Sequence, residues 1–185
     1  MLHPHQAARI RARGRAVTAS LLLAGGLLPL IAAPPASARL ADVTCPAGNQ
    51  TVSFSPGVKT APQTVTVTYN AALGVCASLS QPSITSGTSG GTVTVTLSCA
   101  DLLSTTTGTQ VFTWNTGQSS TLAFTRTVTN VNGQTVITLR GKISAGLFTG
   151  RTAVFTVVEP VLDLTACQTA AGLTSQAGVT TLLIT

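Results

Sequence analysis

The chain has 185 residues, of which ten are cationic and only four are acidic, and its formal net charge is +6. Four of the cations, Arg9, Arg11, Arg13 and Arg15, lie close together near the N-terminus, so the rest of the chain holds six scattered cations. These form no basic stripe that could neutralise a run of phosphates, and the composition therefore predicts no nucleic-acid partner.

The first 38 residues have the three parts of a signal peptide. The arginines form a basic segment, an apolar stretch runs from Val17 to Ala33, and Ala36-Ser37-Ala38 supplies small residues at the cleavage site. We predict cleavage after Ala38. Residues 39–185 then form a single secreted domain that has no membrane contact after cleavage.

The predicted exported part has 147 residues, which suits a single domain. Its six cations and four anions give it a net charge of only +2. It also contains all four cysteines, Cys45, Cys76, Cys99 and Cys167. An even number of cysteines in an exported chain predicts two disulfides and an oxidising, extracellular destination.

Along the exported part, apolar and polar or β-branched residues alternate with period two, as in strands that bury one face. The alternation is clear in eight segments: Val52–Phe54, Val65–Tyr69, Val93–Cys99, Phe112–Trp114, Leu122–Phe124, Val136–Ile143, Val154–Val158 and Val179–Ile184. Turn-forming sequences separate them, including Ser55–Gly57, Ser86–Gly91, Asn115–Gly117 and Asn132–Gly133. About eight short strands of this kind predict an immunoglobulin-like two-sheet β-sandwich.

The first predicted hairpin also constrains the disulfides. If the chain turns near Lys59, the strands on either side bring Cys45 opposite Cys76. Among the three possible connectivities of four cysteines, this favours Cys45 with Cys76 and Cys99 with Cys167.

The Asn132–Gly133 pair predicts a two-residue type I′ turn, which fixes the register of its hairpin. The apolar face then pairs Val128, Arg126, Phe124 and Leu122 with Ile137, Leu139, Gly141 and Ile143. Arg126 alone breaks this face. One interpretation is an arginine near a sheet edge that extends its guanidinium to water. The other is a paired charge in a ligand cleft.

Catalytic chemistry is restricted by the histidines. Both of them, His3 and His5, lie in the predicted leader, and the cysteines are expected to be oxidised. Neither a Ser-His-Asp nor a Cys-His system can then be assembled, and imidazole metal sites are excluded as well. We predict a protein that is not an enzyme and that needs no cofactor or metal.

Two further side chains are candidates for binding or catalysis. Asp163 has apolar neighbours that could raise its pKa, so a carboxylate-based hydrolase would use it with Glu159 or Asp101. The alternative is that Asp163 accepts local backbone hydrogen bonds or pairs with an arginine. Trp114 precedes a turn, where its ring could reach the rim and bind sugar, although a lone tryptophan in an all-β domain usually packs inside.

Four segments together resemble a group of small secreted all-β proteins of actinobacteria that have no assigned activity. They are Cys45–Gly48, Trp114–Gly117, Ser144–Gly150 and Leu162–Cys167. The resemblance covers nearly the whole exported part, and it implies a habitat rather than a mechanism. The chromoprotein carriers of the same bacteria are similar in being exported, four-cysteine sandwiches, but their cysteine spacing differs and no binding residue carries over.

These observations favour a non-catalytic binding or structural module outside the cell, whose partner is a cell-wall or extracellular polysaccharide or a secreted protein. A soluble protease inhibitor or small-ligand carrier is an alternative, in which the loop Ser144–Gly150 enters a protease cleft or lines a pocket. The carboxylate-based hydrolase is a third.

Overall fold

The computed structural model describes residues 41–185, and the predicted signal peptide, residues 1–38, lies outside the described residues. The described residues belong to one compact unit and are mostly in strands. These strands are β1 (Val43–Val58), β2 (Gln63–Gly74), β3 (Ala77–Ser78), β4 (Gly87–Leu97), β5 (Thr106–Trp114), β6 (Ser119–Val131), β7 (Gln134–Gly146), β8 (Thr152–Pro160) and β9 (Leu173–Ile184). Each of the eight predicted segments falls on a different long strand.

The long strands form a closed eight-stranded β-barrel, so the predicted immunoglobulin-like two-sheet sandwich is wrong. β1 pairs with β2 along one edge and with β9 along the other, so that Val52 lies between Tyr69 and Gln176. The ring runs β1-β2-β4-β5-β6-β7-β8-β9, and the two-residue β3 pairs only with the start of β1. Alternating apolar residues serve a sandwich and a barrel equally well, but the barrel gathers them in one interior.

Closure of the ring bends the strands strongly. β1 is 16 residues long and contains two register irregularities, between Cys45 and Gly48 and between Ser53 and Val58. A glycine permits a close approach between β6 and β7, because a Cβ added to Gly141 would collide with the carbonyl oxygen of Ala123. Bulges and inward glycines of this kind are the usual means by which a sheet is curved into a barrel.

The register predicted for the β6–β7 hairpin is confirmed. Val131 pairs with Gln134, and the inward residues pair as expected from Val128 with Ile137 to Leu122 with Ile143. Asn132 and Gly133 both have positive φ, 52° and 75°, as a type I′ turn requires.

Two apolar clusters fill the two ends of the barrel. The tryptophan cluster is built around Trp114, Phe112 and Phe155, and it includes the Cys45–Cys76 disulfide. The leucine cluster lies at the other end, around Leu162 and Leu173, and it includes the Cys99–Cys167 disulfide. The predicted disulfide connectivity is therefore confirmed, and each disulfide ties one end of the barrel.

The prediction of a turn over Ser86–Gly91 is wrong, because most of this segment lies in β4. Two of its three glycines accommodate aromatic rings instead of turning the chain. A Cβ on Gly87 would meet the Trp114 ring at 3.0 Å, and one on Gly91 would meet the Tyr69 hydroxyl at 2.9 Å. Glycine within a strand commonly marks such a close approach.

Two disulfides indicate an oxidising, extracellular environment. Among the described residues, no helix has both the length and the apolar character needed to cross a membrane.

Candidate functional site

A cavity of about 360 Å³ lies inside the barrel between the two clusters. This volume falls within the range of small-molecule sites. Most of its wall is apolar and comes from five of the strands: Val52, Phe54, Val67, Phe124, Ile137, Leu139 and Val157. Polar side chains also line it: Gln50, Tyr69, Asp101, Gln110, Arg126, Glu159 and Gln176.

The barrel wall is open on one side of this cavity. Within residues 41–185, the pairing of β4 with β5 is limited to Gly87 with Trp114 and Thr88 with Thr113. Beyond these two pairs, Ser89–Leu97 of β4 and Thr106–Phe112 of β5 separate, although each strand stays paired along its other edge. We call these two free edges the open seam.

The cavity reaches the open seam. Thr109 and Gln110 point to opposite faces of β5, yet both line the cavity, which therefore extends around the free edge of that strand. Val93 lines it from the β4 side and is 47% exposed. A small molecule thus has a lateral route between solvent and the interior.

Arg126 lies on the cavity wall, and its guanidinium does not simply extend to water as one interpretation expected. Its Nη1 donates to the carbonyl oxygen of Ser104 at 2.9 Å, and its Nη2 donates to that of Leu102 at 2.7 Å. Burial lowers the pKa of Arg126, an effect opposed by the nearby carboxylate of Glu159. Two fixed carbonyls therefore orient the guanidinium within the cavity wall.

Glu159 is buried on β8, which is separated from the strand of Arg126 by β7 alone, and only 5% of its surface is exposed. Its Oε1 accepts a hydrogen bond from Gln176 Nε2 at 3.0 Å. Burial raises the pKa of Glu159, and the positive charge of Arg126 opposes this shift. The two side chains make no direct ion pair, since the one such pair within residues 41–185 joins Arg151 and Asp42 at 3.3 Å.

Gln110 supplies a buried donor that has no partner. The residue is 6% exposed, lines the cavity from β5, and its Nε2 makes no hydrogen bond within the described part of the chain. An unsatisfied buried donor costs about 1–3 kcal/mol, so native proteins seldom keep one without a reason. A ligand that offers an acceptor would satisfy it.

We expect Glu159→Gln to stabilise the protein increasingly as the pH rises. Because the folded-state pKa of Glu159 is raised above the ordinary value near 4.5, the native state binds its proton more tightly than the unfolded state does. The stability contributed by protonated Glu159 is therefore lost as the pH rises from about 4.5 through the folded pKa. Urea unfolding of both proteins at a series of pH values measures the difference.

Asp163→Asn is the control, with the opposite sign. Hydrogen bonds from Thr165 lower the pKa of Asp163, so its contribution is present at neutral pH and is lost as the pH falls through the folded pKa. A stability difference between Glu159→Gln and the natural protein that stayed constant with pH would contradict the account given for Glu159.

Trp114 does not reach the rim but packs in the core, the position that is usual for a lone tryptophan in an all-β domain. It is 2% exposed and packs edge-on against Phe148, with the ring centroids 5.9 Å apart. Its Nε1 donates to Ser120 Oγ at 2.9 Å, and that hydroxyl donates in turn to the carbonyl oxygen of Leu147 at 2.8 Å. The ring is thus packed within the core, and its Nε1 has a hydrogen-bond acceptor there.

The structure does not bring the predicted hydrolase carboxylates together. Asp163 is exposed, and its Oδ1 accepts from the backbone N–H and the hydroxyl of Thr165, at 2.9 and 2.6 Å. Its pKa is lowered rather than raised, so the prediction of an apolar surrounding is wrong and that of local hydrogen bonds is confirmed. Asp101 lines the cavity with Glu159, but its Oδ2 accepts from the N–H and hydroxyl of Ser98.

The loop Ser144–Gly150 closes the tryptophan-cluster end of the barrel. Leu147 and Phe148 are partly buried and pack against that cluster. An inhibitory loop would need such side chains free to enter a protease cleft. No residue of this loop lines the cavity inside the barrel. A ligand in that cavity would therefore not contact the loop.

Sequence reasoning missed Gln110 and Gln176, which share the cavity with Arg126. One pattern could have found Gln110, because it occupies an inward position between Gly108 and Phe112 in the alternation of β5. No group of three or more His, Cys, Asp and Glu side chains suited to a metal ion occurs within residues 41–185.

Comparison of the chain with protein-family models, with curated proteins and with solved structures finds no match. The resemblance to small secreted actinobacterial proteins therefore stays a prediction.

Proposed function

We propose that this is a secreted, non-catalytic protein that binds a small, largely apolar molecule inside its barrel. In this proposal the signal peptide directs residues 39–185 outside the cell, where the domain carries or sequesters its ligand. The observation that carries the proposal is the cavity itself, enclosed between two packed clusters and reached through the open seam.

The lining supports a ligand rather than trapped solvent. An apolar wall with a few convergent polar groups is typical of small-molecule sites, because apolar surface supplies affinity and polar groups fix orientation. Gln110 Nε2 is such a group, buried and without a partner. Natural cores are otherwise closely packed, so an interior of this size is expected to serve a purpose.

The exposed surface argues against a polysaccharide partner. Sugar-binding modules commonly stack aromatic rings against the sugar, and an exposed ring is needed for this. All seven aromatic residues of the chain lie in the described part, and each is buried or partly buried. The small-ligand carrier is therefore favoured over surface recognition of a cell wall.

We expect the purified protein to bind N-phenylnaphthylamine, a neutral dye whose fluorescence rises in apolar surroundings. Val67→Trp should abolish the binding, because the larger ring projects from β2 into the cavity. Thr125→Trp is the matched control, since it places the same ring on the exposed outer face of β6. Fluorescence titration measures the affinity, and thermal unfolding checks that both variants fold.

Two results would overturn the proposed function. One is a failure of the dye and of a panel of small apolar molecules to bind the folded protein. The other is equal dye binding by Val67→Trp and Thr125→Trp, which would place the dye on the surface.

A further inference from the structure

Two of the polar groups that line the cavity, Gln110 and Arg126, lie far apart. Gln110 is paired across the β5–β6 ladder with Leu122, whereas Arg126 is paired with Thr106, four residues away along β5. Four residues of strand span about 13 Å. Between the two lies the inward Phe124, whose ring covers Gly108. A polar group at each end and an apolar surface between them suggest an elongated ligand.

The Arg126 end selects for charge. Two of the five N–H groups of the guanidinium donate to fixed carbonyls, and the group as a whole lines the cavity, where its remaining donors can serve a ligand. Glu159 presents a carboxylate nearby, with Oε1 held by Gln176. A ligand anion would be attracted by Arg126 but repelled by Glu159, and a ligand cation the reverse, so the two opposite charges give a charged group little net attraction. A neutral group that both donates and accepts, such as a hydroxyl or a primary amide, satisfies both.

The Gln110 end needs an acceptor. Its Nε2 is a donor without a partner in the described part of the chain, and the side chain is buried on the inner face of β5. A hydroxyl or carbonyl oxygen would meet this need, whereas an alkyl end would leave the donor unsatisfied.

We propose that the ligand is a neutral, elongated molecule with an apolar body and a hydroxyl or amide group at each end. This inference rests on the proposed function, because it names the chemical class that the same cavity takes. One end of the molecule bonds to Gln110, the body packs against Phe124 and the apolar wall, and the other end lies between Arg126 and Glu159.

The test compares two probes in two proteins. Decanediol, with a hydroxyl at each end, and decanol, with one, are titrated by dye displacement into the natural protein and into Gln110→Leu. The quantity of interest is the affinity ratio of decanediol to decanol, because the general preference for the more apolar decanol cancels when this ratio is compared between proteins. We expect the ratio to fall about fivefold in Gln110→Leu, through loss of one hydrogen bond.

The variant is expected to fold, since it replaces an unsatisfied buried amide by an apolar side chain of similar size. An unchanged ratio overturns the inference and leaves the proposed function standing, provided that decanol binds in the cavity. If neither probe nor the dye binds, the proposed function itself fails. Hydroxydecanoate tests neutrality: we expect weaker binding than for decanediol, and tighter binding would overturn that part of the inference.

Discussion

Replacing Cys99 and Cys167 together with serine is expected to lower the free energy of unfolding by about 4 kcal/mol, because their disulfide closes a long loop in the unfolded chain. The sequence separation is 68 residues. The same change should also weaken ligand binding. Cys99 is followed directly by the segment that contains Asp101 and Leu102, which line the cavity, and Leu102 anchors Arg126.

The Cys45→Ser, Cys76→Ser double variant is the control. Its loop, with a separation of 31 residues, is shorter than that of the Cys99–Cys167 disulfide. Its removal should therefore lower the free energy of unfolding slightly less, with a difference under about 1 kcal/mol. Neither cysteine of this disulfide lines the cavity, so dye affinity should be preserved. Denaturant unfolding and dye titration separate the two effects. Equal losses of dye affinity in both folded variants would refute the placement of the segment that follows Cys99 in the cavity wall.

Trp114→Ala is expected to cost about 3–5 kcal/mol, as large-to-small changes of buried aromatic residues do. The ring contacts Phe148 and covers Gly87, and its loss also removes the donor to Ser120. Because Trp114 does not line the cavity, dye affinity measured on the folded variant should stay within about twofold, a difference well under 1 kcal/mol.

Trp114→Phe is the comparison for that variant. It keeps a ring over Gly87 and loses mainly the indole donor, so its cost should be clearly smaller, on the order of 1–2 kcal/mol. Circular dichroism is the appropriate probe, since both variants lack the single tryptophan. A large loss of dye affinity in Trp114→Phe at unchanged stability would show that Trp114 contributes to ligand binding.

The hairpin register and one disulfide could be predicted from the sequence, because both depend on residues close together in the chain. The Asn132–Gly133 turn fixes its own hairpin because the two residues accept positive φ, and a two-residue loop allows only one register. The Cys45–Cys76 disulfide follows in the same way from a hairpin between neighbouring strands. Both inferences depend on contacts close in the chain.

Closure of the barrel depends on contacts far apart in the chain. Pairs such as Thr51 with Ala177 join β1 to β9, and the strand sequences themselves do not specify this partnership. Gly141 was visible at an inward position, where a missing side chain favours strong curvature over a flat sheet. Without knowledge of which strand edges pair, a glycine at that position is compatible with both a two-sheet sandwich and a closed barrel.

The site was partly visible as exceptions to the alternation. Arg126 broke the apolar face of its hairpin, and the interpretation as a charge in a cleft was available beside the simpler one. Gln110 and Glu159 interrupt inward positions in the same way. Their grouping could not be predicted, because residues on β5, β6 and β8 meet only through the curvature of the closed barrel.

The open seam gives the backbone of two strands an unequal exposure to solvent. Amides of β4 and β5 that point toward the free edges lack a strand partner, whereas their neighbours in the same strands are held by β2 and β6. Hydrogen–deuterium exchange should therefore alternate along these strands, fast at every second residue and slow between. The barrel would open first along this line, with the two disulfides holding its ends together.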